Sequence, residues 1–259
     1  MQNNIFSAES LSQNIIVLDQ VDSTNNYLKS KLSNFKPLPE LTAIMAKDQT
    51  QGRGQRENSW LVAPNLNLTF SILLYPNTIK PQDHFLLNVI ISLGIMDWLK
   101  SQQIPASIKW PNDLMISNKK IGGILIENSL NKTSIRQSIV GIGINVNQII
   151  FPETLQDKAS SIKKETGHHT DDLKQACLDI CYSIGKKITS FRNNQINAEQ
   201  LLIAYNSVLF KKDITSWYFS NQETFEAKLI RVEKDGRLIL NQDNKELSYN
   251  FKEVVFILQ

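Results

Sequence analysis

Hydrophobic positions along this chain fall into two textures. Up to about Asn147, short apolar runs alternate with two helical patterns. "NIIVLDQV", "LTAIMAKD", "NLTFSILLYP", "ASIKW" and "SIRQSIVGIGINVN" predict strands, and "DLMISNKKIGGILIEN" predicts two strands about a tight turn at Ser117 to Lys119. "DSTNNYLKSKLSN" predicts a helix that Asp22 or Ser23 can cap, because their side-chain oxygens accept free first-turn amides. "PQDHFLLNVIISLGIMDWLKSQQ" predicts a long buried helix with Pro81 in its first turn. Two period-3.6 segments follow, "DDLKQACLDICYSIGKKITSFRN" and "NAEQLLIAYNSVLF". Past Lys211 the texture is purely β, with five short runs and an Asp-Gly turn in "EKDGRL", which predicts a small barrel. The boundary falls near Phe210 to Asp213, dividing the chain into residues 1–210 and 211–259.

Composition narrows the class without choosing a function. A chain of 259 residues with 41% hydrophobic content can bury one large core and a small second one. A net charge of +3 without a block of like charge does not call for nucleic acid. The first twenty residues lack the basic and apolar pattern of a secretory signal. The most apolar run, "FLLNVIISLGIMDWL", is too short to span a bilayer and is interrupted by Asn88 and Asp97. Cys177 and Cys181 share a helical face with Leu173, Ile180, Ile184 and Ile188, which favours two core thiols over a disulfide or metal pair. The expected compartment is the cytoplasm, with no membrane contact.

Candidate chemistry gathers in four stretches. In "QTQGRGQRENSWLV", Gly52 and Gly54 let backbone amides approach a ligand, Arg53 and Arg56 can fork onto carboxylate or phosphate oxygens, and Trp60 offers a flat face. Alone, such a loop is better read as a solvated surface loop. "KWPND" reads as a turn initiator. "KKIGGILIE" sets Lys120 before Gly122 and Gly123, which implies close approach of a ligand or another backbone. In "GIGIN", Gly141, Gly143 and Asn145 share one strand face that is bare until the asparagine, suited to a flat ligand or to helix packing. His84, His168 and His169 are scattered, and no metal-ligand spacing or nucleophile motif appears. Chemistry by positioning and charge is the expectation.

Together "DSTN", "GRGQR…W", "KWPNDL", "KIGGILIE" and "GIGINVN", in this order across Asp22 to Asn147, resemble the biotin–protein ligases, and the β tail resembles their SH3-like carboxy-terminal domain. The resemblance implies an α+β fold like that of class II aminoacyl-tRNA synthetases, a mixed sheet with helices on one side. It implies formation of biotinyl-5′-AMP from biotin and Mg-ATP, then transfer of biotin to a lysine of a biotin carboxyl carrier protein. By this similarity Ser23, Thr24 and Gln49 bind the ureido ring, and Gly52 and Arg53 the valerate end and phosphate. Lys120 neutralises charge between carboxylate and α-phosphate, and Trp60 stacks on adenine beside Arg56. Asn112 and Asn145 orient the adenylate, Asp113 steers the incoming amine, and Gly123, Gly141 and Gly143 form the pocket floor. Magnesium is implied only by the use of ATP, and a homodimer is common in the family.

Some positions depart from the pattern. Gln55 and Glu57 stand where relatives carry an arginine and a small residue, which bears on retention of the adenylate. Tyr249, Asn250 and Lys252 stand about where bifunctional members place a nucleotide-binding arginine. The catalytic pattern begins by about Asn14, so no winged helix-turn-helix is expected, and no DNA partner. Two other classes compete: a lipoate or octanoate ligase or transferase of the same fold, and a non-enzymatic regulator that binds biotin or nucleotide.

Overall fold

The computed structural model describes residues 14–32, 37–55 and 58–258. The larger sheet contains β1 (Ile15–Val21), β2 (Ala43–Gln49), β3 (Leu68–Leu74), β4 (Ser107–Lys109), β5 (Asp113–Ile116), β6 (Lys119–Leu130) and β7 (Ile135–Ile144). Its strand order is β1-β2-β3-β7-β6-β5-β4, and the β1–β2 pair is its parallel one. The helices are α1 (Thr24–Leu32), α2 (Phe85–Ser101), α3 (Ile162–Thr166), α4 (Leu173–Arg192) and α5 (Ala198–Ser207).

β3 is buried along its whole length, so both of its faces are covered. Leu68, Phe70, Ile72 and Leu74 join the main core with α2, α4 and α5. α2 is apolar nearly all round and lies inside that core, as such a helix must. It begins at Phe85: Pro81–Asp83 form a separate 3-10 turn, where the sequence placed Pro81 in the helix itself. The main helices therefore share one side, as expected. α1 lies on the other side, where Leu28 packs with Ile44, Leu73 and Ile139. Its first turn brings buried Thr24 and Asn25 instead of a wide apolar stripe, so it covers the sheet partly through hydrogen bonds. The five-residue α3 is too short for its period to show in the sequence.

The second sheet contains β8 (Thr215–Ser220), β9 (Glu223–Val232), β10 (Leu238–Gln242), β11 (Lys245–Tyr249) and β12 (Val255–Phe256), in the order β11-β10-β9-β8-β12. This antiparallel ladder stands where the sequence predicts the small barrel. Tyr218, Leu229, Leu238 and Phe256 belong to the same hydrophobic cluster as α2, so one core runs through both sheets. Before β8 the chain crosses the edge of the larger sheet, where Phe210 N–H donates to Ile108 O (2.8 Å) and Ile108 N–H to Val208 O (2.9 Å). Those bonds occupy backbone groups that an edge strand leaves open. No helix among the described residues is long and apolar enough to cross a membrane.

Candidate active site

Strand register lays out the site. Lys109 pairs with Asp113, Asp113 with Gly123, Gly123 with Gly143 and Gly143 with Thr69, a single row across β4, β5, β6, β7 and β3. Cross-strand partners share a face. The next rows on that face hold Leu125, Gly141 and Ser71, then Glu127, Ile139 and Leu73. α1 covers these rows and leaves the first one open. All five residues of the first row line a cavity of about 460 Å³. Its further wall is Phe251, Lys252 and Val254 to Phe256, from the second sheet.

One end of this cavity is charged. Lys120 Nζ lies 2.6 Å from Asp113 Oδ1. Lys120 and Gly123 are three apart and would face opposite sides of a regular strand. A register shift between β5 and β6 pairs Met115 with Lys120 and Leu114 with Gly122, so Ile121 is the extra residue. The bulge turns Lys120 to the same side as Gly123, a recurrent use of bulges beside active sites. Gly123 leaves room below the ion pair: a β-carbon there would stand 3.4 Å from Lys120 Nζ. Lys109 faces the same carboxylate. Burial holds its ammonium below the usual lysine pKa, Asp113 opposes that shift, and Lys120 adds to it. Lys109 Nζ also sits 5.5 Å from the centroid of the Phe256 ring.

The other end is a chain of hydrogen bonds. Gln49 Oε1 accepts from Thr24 N–H (2.8 Å) and lies 3.0 Å from Thr24 Oγ1. Thr24 Oγ1 lies 2.7 Å from Ser71 Oγ, and Ser71 donates to Asn25 Oδ1 (2.6 Å). Asn25 Nδ2 donates to Glu127 (2.7 Å), whose other oxygen is 3.4 Å from Arg53 Nη1. Arg53 donates to Asn26 Oδ1 (2.9 Å), and Asn26 donates to Asp22 (2.8 Å). That bond, with the Ser23 N–H, holds the Asp22 carboxyl below its ordinary pKa.

Two side chains rest on the glycines of β7. A β-carbon on Gly141 would stand 2.6 Å from Asn25 Oδ1, and one on Gly143 would run into the Trp60 indole. The bare face read from the sequence is thus occupied by the protein's own side chains. Trp60 N–H donates to Gly52 O (2.8 Å) and Gly54 N–H to Asn58 O (2.7 Å), which draws the two described sides of the loop together. The indole N–H of Trp60 is buried and has no partner among the described residues, and Lys120 Nζ lies 5.9 Å from the ring centroid.

The Trp110–Pro111 turn is seated from three sides. Pro111 O accepts from Asn88 Nδ2 (2.7 Å) and from the Tyr205 hydroxyl (2.9 Å), whose pKa burial pushes far up. Trp110 Nε1 donates to Gly236 O (2.8 Å) in the turn between β9 and β10. Asn112 and Ile124 bond reciprocally, Nδ2 to O at 2.6 Å and N–H to O at 3.1 Å. Among the described residues no cluster of three or more His, Cys, Asp or Glu could hold a metal.

Residues 17–145 match the Biotin/lipoate A/B protein ligase family. Over this span the chain belongs to that family. It is 33% identical over 166 residues to the bifunctional ligase/repressor BirA of Bacillus spizizenii, covering 63% of this chain and 50% of that protein. It is 31% identical over 168 residues to the biotin–[acetyl-CoA-carboxylase] ligase of Paracoccus denitrificans, covering 60% and 65% respectively. The chain thus spans about half the length of the first of these relatives. In fold it is similar to a biotin protein ligase from Aquifex aeolicus in complex with biotin and ATP, with TM-score 0.73 and 27% identity over 95% of this chain and 100% of that one.

Within this ligase-family domain the cavity unites most of the residues singled out in the sequence. Ser23, Thr24, Gln49, Arg53, Trp60, Asn112, Asp113, Lys120, Gly123, Gly141 and Gly143 all line it. Gly52 does not; it is buried in the base of the loop, where a β-carbon would meet the Trp60 carbonyl. Asn145 is also away from the cavity: its N–H donates to Ile121 O (2.7 Å) and its Nδ2 to Ser160 O (2.8 Å). Arg56 and Glu57 lie outside the described residues. The structure adds Asn25, Lys109 and Phe256 to the lining and Ser71 and Glu127 behind it. Ser71 had a signal, as the polar residue at the centre of "LTFSILL". Asn25, Lys109 and Glu127 stood inside the motifs without a role. Nothing in the tail marked Phe256.

Proposed function

We propose that this protein is an ATP-dependent biotin–protein ligase. The observation that carries the reading is a single cavity with a hydrogen-bonding end at Thr24 and Gln49 and a cationic end at Lys109 and Lys120. Such a cavity suits an acid whose polar head is buried and whose carboxylate must meet a phosphate. In the first step a carboxylate oxygen of biotin attacks the α-phosphorus of ATP, and the bond to pyrophosphate breaks. Two anions approach each other there, so cationic groups lower the barrier. Lys120 supplies that charge, and Asp113 holds its ammonium in place. In the second step the lysine amine of a biotin carboxyl carrier protein attacks the mixed anhydride, loses a proton, and AMP leaves. Water is kept from the anhydride by the side of the cavity that Gly54, Asn58, Ser59 and Trp60 line.

Asn112 and Trp60 serve the nucleotide, and Asn145 supports the floor from behind. Ser23, Gly123, Gly141 and Gly143 shape the acid slot. Magnesium would enter with ATP and supply positive charge against its phosphates. Residues 1–210 act as the catalytic part, and 211–259 as a β domain that closes the nucleotide side. A cytoplasmic setting, no DNA partner and a capacity to form a homodimer complete the reading.

Biotin-dependent exchange of labelled pyrophosphate into ATP tests it, with lipoate and octanoate in parallel. Exchange with biotin alone supports the proposal. Exchange with lipoate or octanoate alone moves the chain to the sister activity. Biotin binding without exchange leaves a non-enzymatic regulator.

A further inference from the structure

The strand row that lines the cavity also orders its charges. The head end is built against β3, where Ser71 meets Thr24. Lys120 Nζ stands over Gly123 on β6, 3.4 Å from where a β-carbon on that glycine would be. Lys109 is on β4, two strands further along the same row, and so about 10 Å beyond Gly123. Its Nζ lies 5.5 Å from the centroid of the Phe256 ring, against the wall from the second sheet. Asp113 touches Lys120 (2.6 Å), and among the described residues no carboxylate forms an ion pair with Lys109. Two ammonium groups and one carboxylate leave one cation unmatched, and that cation is Lys109. Burial works against its charge, so an anion arriving there offsets a cost already present. In-line displacement at phosphorus sets the attacking and leaving oxygens on opposite sides. An acid whose head is held at β3 brings its carboxylate to Lys120 along the row, from the β7 side. The leaving group then departs toward β5 and β4, where Lys109 stands.

We infer that Lys109 is a further catalytic residue of the adenylation step: its ammonium binds the β-phosphate of ATP and stabilises pyrophosphate as it leaves. The bond from the carboxylate oxygen to the α-phosphorus forms. The bond from the α-phosphorus to the bridging oxygen breaks, and its electron pair goes to pyrophosphate beside Lys109. Lys120 serves the phosphorus under attack, and Lys109 the group that departs. Lys109 has no part in the second step, from which pyrophosphate is absent. The inference rests on the ligase reading above and divides the work of its cationic end.

Lys109→Met tests the division on the two half-reactions. In biotin-dependent exchange the KM for pyrophosphate should rise by about tenfold or more, the scale of one lost hydrogen bond from a charged group. Transfer of biotin from preformed biotinyl-5′-AMP to a carrier-protein lysine should stay within about threefold of the parent, against that tenfold scale. Lys109→Arg keeps a cation at the position and should recover most of the pyrophosphate KM. A parental pyrophosphate KM in Lys109→Met overturns the inference, as does an equal fall in both half-reactions. If only lipoate or octanoate supports exchange, the same comparison is made with that acid. If no acid does, the proposed function fails, and Lys109 is judged by calorimetry with ATP and with AMP. A parental preference for ATP that Lys109→Met reduces about tenfold supports the phosphate contact. No preference in the parent, or an undiminished one in the variant, overturns it.

Discussion

The two ends of the cavity are built on opposite principles. At the head end almost every polar atom has a partner, and the partners are neutral apart from two carboxylates and one guanidinium. At the reactive end two ammonium groups share one carboxylate, and an indole N–H has no partner among the described residues. A satisfied network fixes orientation and suits discrimination. An unbalanced cluster is costly until an anion arrives, and suits charge stabilisation. Selection and chemistry are therefore separated along one row of strands.

The largest effect that would sharpen this contrast is at Lys120. Lys120→Ala should lower the rate of pyrophosphate exchange by about 10³-fold while biotin affinity changes little, the scale of removing one transition-state charge partner. Loss of both together would break the separation. Gly141→Val should act in the opposite way, because the new side chain drives Asn25 out of place. It should raise the biotin Kd by about 10- to 100-fold through overpacking, with ATP binding spared, as titration of each ligand would show.

Lys109 supplies a pH test. Its pKa is depressed in the folded protein, chiefly by burial. Between that lowered value and the ordinary one of about 10.4 the unfolded chain keeps a proton that the folded chain has lost. Stability therefore rises with pH across that window and is flat in this respect below it. Lys109→Met should remove the slope and stabilise the protein by about 1.5 kcal/mol at neutral pH, at the expense of exchange activity. Denaturant titration at several pH values would check it. The smallest effect is at the joint between the sheets: Trp110→Phe loses the bond to Gly236 O and should cost about 1 kcal/mol, read from chemical denaturation.

What the sequence made legible was local. Lys120, Gly123, Gly141 and Gly143 lie in short motifs whose glycines already implied close approach of a ligand or of another part of the chain, and strand register brings them together. Lys120 reaches the right face only through the bulge at Ile121, which periodicity alone does not reveal. The glycine face of β7 was read as open floor, because nothing in "GIGIN" says that Asn25 and Trp60 will lie on it. Ser71 and Glu127 come from positions far from their partners Thr24 and Asn25, so their roles depend on tertiary pairing. α1 lies opposite the other helices because a polar first turn and Leu28 anchor it, a balance too fine for an apolar stripe to signal. Asn145 shows the converse: its place in a motif suggested a ligand contact, and its side chain serves the backbone of Ser160.

The wall formed by Phe251 and by Val254 to Phe256 comes from a part of the chain some 230 residues away from Ser23 and Thr24, which line the same space. No hydrogen bond of the head-end chain involves it. On the proposed reading, substitutions in that short tail stretch retune which nucleotide is accepted and leave the choice of acid intact. In a protein of this build the two preferences are free to evolve, or to be engineered, independently.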